Sequence, residues 1–80
     1  MKHRLISWLG WYGVCAILCA YTLVSFRIID ANGYSYQLLN LSGAAGIFIE
    51  TSYKKDRQPA VLNAIWIIIA MIAILQLLFN

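Results

Sequence analysis

The sequence predicts an all-α membrane protein with three transmembrane helices, its N-terminus in and its C-terminus out. Three observations carry that expectation. Charge is scarce, apolar residues fall into three runs near the length of a bilayer crossing, and basic residues collect beside alternate ends of those runs. Charged residues are 11% of the chain, where a soluble domain has roughly 25%, and apolar residues are 62%. With a mean hydropathy of +0.75, the chain lacks the charge to cover a surface in water.

At 80 residues the chain is expected to be one domain, 1–80, with spans near 5–26, 34–53 and 59–79. The first run is about 22 uncharged residues, enough for a hydrocarbon core of roughly 30 Å. Trp8, Trp11 and Tyr12 stand near its start and Tyr21 and Phe26 near its end, as aromatic belts do at lipid–water boundaries. The run is too long for an ordinary signal-peptide core and no small-x-small cleavage site follows it, so the segment is expected to stay in the protein. Asp30, Asn32 and Gly33 then supply turn chemistry.

The middle run, 34–53, contains Gln37, Asn40, Ser42 and Glu50. An amphipathic helix lying on the bilayer surface is the alternative here, but such a helix carries lysine or arginine on its polar face, and none occurs before Lys54. Its block of small residues, 42–46, suits close helix contact in lipid. A charged turn from Lys54 to Gln58 follows, and Pro59 fits the first position of a helix, with Asp56 or Gln58 as its cap. No charge occurs beyond it. If all three runs cross, Lys2, Arg4, Lys54, Lys55 and Arg57 share one side, and Arg27 alone, offset by Asp30, takes the other.

Few residues offer chemistry. There is no Ser-His-Asp set, no convergent carboxylate pair and no glycine-rich phosphate loop, so no catalytic, cofactor-binding or metal-binding residue is expected. His3 reads as a headgroup contact. Cys15 and Cys19 lie four apart on one helix, a spacing ill suited to a mutual disulfide, and read as small packing residues or as an intermolecular pair. No basic stripe on a soluble fold exists to bind nucleic acid.

Glu50 is the one acidic residue inside an apolar run. It reads either as an intramembrane functional acid or as an interfacial carboxylate paired with Lys54 or Arg57. Asn40 shares a helical face with Gly43, Ala44 and Ile47. Asn63 shares one with Ala60, Ile67 and Ala70, and Trp66 stands at the edge of that face. An amide facing lipid is costly, so Asn40, Gly43, Asn63 and Trp66 are expected either to pack helices or to line a cavity.

The run Tyr36-Gln37-Leu38-Leu39-Asn40-Leu41-Ser42-Gly43-Ala44, with Gln58-Pro59-Ala60-Val61-Leu62-Asn63-Ala64-Ile65-Trp66, resembles a family of short three-span bacterial membrane proteins of unknown function. Gly10-Trp11 and Ala20-Tyr21 fit the same pattern. A more distant likeness is to the SemiSWEET-type half-transporters, three-span chains that form a path as dimers. Their first-helix Pro-Gln motif is missing here, and Asn63 corresponds only by analogy to their substrate-facing asparagine. The resemblance implies a bacterial inner-membrane protein. Two functional expectations follow: a non-enzymatic subunit that self-associates or joins a larger membrane complex, or a half-transporter for a small polar solute.

Overall fold

A computed structural model describes residues 2–79, and for Lys2 and His3 it describes the backbone alone. The headgroup contact expected of His3 and the placing of Asn80 lie outside the described residues. Three helices form: α1 (Lys2–Ser25), α2 (Tyr34–Tyr53) and α3 (Arg57–Phe79).

α1 and α3 begin before their apolar stretches while α2 matches its own, because local chemistry as well as hydropathy decides where a helix starts and ends. α1 closes in a Schellman turn. Arg27 adopts φ 61°, its N–H bonds the Val24 carbonyl at 3.0 Å, and the Ile28 N–H reaches Leu23 at 2.9 Å. α2 closes in the same way around Lys55, at φ 59°, with Lys55 donating to Ser52 at 3.1 Å and Asp56 to Thr51 at 2.8 Å. A basic residue thus takes the left-handed position usually given to glycine, where its cation faces the negative end of the helix dipole. Asp56 also starts the next helix, since its carbonyl accepts the Ala60 N–H at 3.2 Å. α3 therefore begins at Arg57, two residues before Pro59, and the proline sits within the first turn, where an N–H is not required.

The chain folds as a row. α2 packs against both α1 and α3, and among the described residues the backbones of α1 and α3 come nowhere within 8 Å, Cα to Cα. The bundle measures 40 × 24 × 20 Å, and α3 alone is about 34 Å long at 1.5 Å per residue.

The expected third crossing fails. By length and composition two helices can cross a membrane, Arg4–Ser25 and Arg57–Phe79, and α2 is not apolar enough to do so. Its amides, hydroxyls and Glu50 lower its apolarity, and its two glycines, Gly43 and Gly46, add almost none. The orientation falls with it. Placing the N-terminus in and the C-terminus out required Lys54, Lys55 and Arg57 to return to the side of Lys2 and Arg4 through a middle crossing.

The side chains are distributed inside out. Among the described residues the buried apolar side chains are those of Ala16, Ala20, Ala44 and Ala70, and no large side chain is fully enclosed. Leucines, isoleucines, tryptophans and Phe79 point outward instead. Only 11% of the α3 span and 22% of the α1 span are buried, whereas the core helix of a soluble protein is mostly covered.

Candidate functional site

The α1–α2 seam is built on missing side chains. Along α1, Gly10, Gly13, Ala16 and Ala20 are buried on one face; α2 answers with Gly43 and Gly46. A Cβ on Gly43 would stand 2.9 Å from both the Gly13 carbonyl oxygen and Ile17 Cγ1. One on Gly46 would stand 2.5 Å from the Leu9 carbonyl oxygen. One on Gly13 would meet the Gly43 carbonyl oxygen and, at 2.7 Å, Ile47 Cγ1. The two backbones approach as closely as they do because no side chain intervenes.

Polar side chains along the helices mostly hold structure. Ser42 Oγ donates to the Leu39 carbonyl at 3.2 Å, which leaves its oxygen to accept from the Tyr12 hydroxyl across the seam at 2.7 Å. Thr51 Oγ1 donates to the Ile47 carbonyl at 2.8 Å, satisfying itself within its own helix. The Gln37 side-chain amide donates to the Ala31 carbonyl at 3.1 Å and ties the first loop to α2. At the far end of α2, Glu50 accepts from Lys54 Nζ at 3.1 Å, one turn away. The Glu50 carboxylate lies over Gly10, where a Cβ would displace it.

Of the residues singled out in the sequence, Asn40 is 7% exposed on α2 and Asn63 3% exposed on α3. Both are buried within one protomer. Asn63 Nδ2 donates to the Pro59 carbonyl at 2.8 Å, and this bond sets the amide's orientation. Its Oδ1 is buried without a partner, an arrangement that costs about 1–3 kcal/mol. Among the described residues none bonds the Asn40 amide. Gly43 serves the α1 seam, and Trp66, 37% exposed, stands at the outer edge of α3.

The structure does not bring the two asparagines together. Gln37 shares a groove with Ala73 and Leu77, and Thr51 shares one with Ala60, so α2 and α3 run antiparallel with Asn63 opposite the region of Phe48. Asn40 and Asn63 therefore stand about two turns apart, roughly 12 Å along the axis. Gly13 is the structural residue that the sequence reading missed. Its signal was present in the spacing of Gly10, Gly13 and Ala16 on one face of the first helix.

Among the described residues no group of histidine, cysteine and carboxylate side chains has a metal-binding arrangement. Cys15 and Cys19 are free thiols on the outer face of α1. No curated protein and no solved structure matches the chain. One family model matches residues 6–80, from the start of the first apolar run to the last residue, and the chain belongs to that small family of uncharacterised function.

Proposed function

We propose that this is a non-enzymatic protein of the bacterial inner membrane that works by helix–helix association, with itself or within a larger membrane complex. The inside-out distribution of its side chains carries the reading. A compact monomer of 9.1 kDa exposes about 4,900 Å² by the usual scaling, and this chain exposes 6026 Å². The excess is clad in large apolar groups such as Ile65, Ile68, Ile69 and Ile72, far beyond the few hundred Å² that a soluble monomer leaves bare. Lipid or other apolar helices are the surroundings that such a surface fits. Tyr12 and Ser42 tie α1 to α2 and Thr51 is satisfied within α2, and the apolar exterior is the surface on which the protein acts.

Purification in mild detergent, with the mass of the complex measured directly, tests this reading. A defined oligomer or a stoichiometric membrane partner is the expected result. Extraction by carbonate as a soluble chain, or a monomer without partner, would refute it.

One observation favours a second reading, the dimeric half-transporter for a small polar solute: the buried, unpaired Asn63 Oδ1. Solute flux into proteoliposomes that is abolished by Asn63→Ala is its test.

A further inference from the structure

We infer that the turn joining α2 to α3 is a binding site for an anionic phospholipid. The inference rests on the membrane reading above. A groove of about 380 Å³ opens where α2 ends and α3 begins, lined by Thr51, Ser52, Ala60 and Val61 and by the turn residues Lys55, Asp56 and Arg57. A second, shallower groove of about 460 Å³ runs on past Arg57 and Val61 along Leu62 and Ile65. The two share Arg57 and Val61, so the basic residues of the turn border a continuous apolar track. That pairing of charge with apolar length fits an amphiphile having a phosphate at its head and an acyl chain behind it.

The charges of the turn decide the sign of the head. Lys54 is engaged by Glu50 at 3.1 Å, while no salt bridge among the described residues engages Lys55 or Arg57. Lys55 and Arg57 against Asp56 leave one net positive charge. Arg57 offers a planar donor fork matched to phosphate oxygens, and the first turn of α3 adds the positive end of its dipole. Asp56 opposes the ligand. Its backbone carbonyl begins α3, and its carboxylate weakens the site rather than forming it. The fold brings further cations to the same end of the bundle: Arg4 and Lys54 line neighbouring crevices that share Ser7 and Trp11, whereas Arg27 lies at the opposite end beside Asp30.

Native mass spectrometry from micelles holding equal amounts of phosphatidylglycerol and phosphatidylcholine reads the preference as the ratio of bound lipids. At about 1 kcal/mol per basic residue near a membrane surface, the net single charge gives about a fivefold preference for phosphatidylglycerol. Lys55→Asn together with Arg57→Gln is expected to bring the ratio to one or below, asparagine being tolerated at the left-handed position of residue 55. Asp56→Asn keeps the helix cap and is expected to raise the ratio about fivefold. Arg27→Asn and excess inorganic phosphate should leave the ratio unchanged. Equal retention of the two lipids by the unaltered protein overturns the inference, as does an Asp56→Asn ratio no higher than the starting one. Carbonate extraction of the same samples reports separately on the membrane reading: a chain that resists extraction yet shows no lipid preference refutes the site alone.

Discussion

Replacing Gly13 by alanine tests the α1–α2 seam at its tightest point. A Cβ there would meet the Gly43 carbonyl oxygen, Ile47 Cγ1 at 2.7 Å and the Ile47 backbone nitrogen at 3.0 Å. Two of the three are main-chain atoms of α2 and cannot rotate aside, so the helices must part by something near 1 Å. A gap of 0.5–1 Å forfeits about a quarter to a half of each dispersion contact it opens, and overpacking of this kind costs about 1–3 kcal/mol. Because main-chain atoms stand in the way, the upper part of that range applies, about 2–3 kcal/mol; alanine's better helix propensity returns about 1 kcal/mol, which brings the net loss to about 1–2 kcal/mol, a five- to thirtyfold change in the folded ratio. Denaturation in mixed micelles, followed by tryptophan fluorescence, measures this loss directly. Val14→Ala, on the exposed side of α1, serves as the control and should shift stability far less. If Gly13→Ala is as stable as the parent while Val14→Ala is equally silent, the close-approach account of the seam is wrong.

The other expectations come from the same geometry. Gly10→Ala should destabilise less than Gly13→Ala, because the atoms in its way are the movable carboxylate end of Glu50; an equal or larger loss in the same denaturation assay would contradict this. Asn63→Leu removes the orphaned acceptor together with its donor, and should be neutral or stabilising by about 1 kcal/mol, so a clear fall in the denaturation midpoint would show that the amide has an unseen partner. Arg27→Val puts a β-branched residue at φ 61° and should cost about 1–2 kcal/mol, seen as faster hydrogen exchange at the Ile28 amide that closes the turn. In intact membranes Cys15 and Cys19 should resist a water-soluble maleimide and react with a lipid-soluble one; rapid aqueous labelling would place the outer face of α1 in water.

How far the fold could be read in advance differs from element to element. The breaks between helices were legible because Asp30 to Gly33 and Lys54 to Asp56 are turn-forming and charged, between long runs that are neither. Helix starts were less so. Pro59 looked like the first residue of α3, yet Asp56 caps the helix earlier because a proline is as comfortable in the third position as in the first. The middle run looked like a crossing because its charge was low, but low charge is not high apolarity, and the amides, hydroxyls and glycines of α2 make the difference. Burial of the two asparagines was legible too, since an amide facing lipid is costly, and α2 and α3 bury both within one protomer.

The sequence alone determined that this chain is helical, where its turns fall, and that its surface is too apolar for its size, because these follow from local propensity and from composition. The Glu50–Lys54 pair was within reach as well, since four residues along a helix is a fixed distance. Only the tertiary structure decided that α2 stands between the other two, that Gly13 rather than Cys15 or Cys19 faces it, and that Asn40 and Asn63 are buried yet far from one another. Those facts depend on the rotation and register of helices packed against each other. Neither is specified by one helix taken alone; both are set by how closely two backbones can approach where side chains are absent.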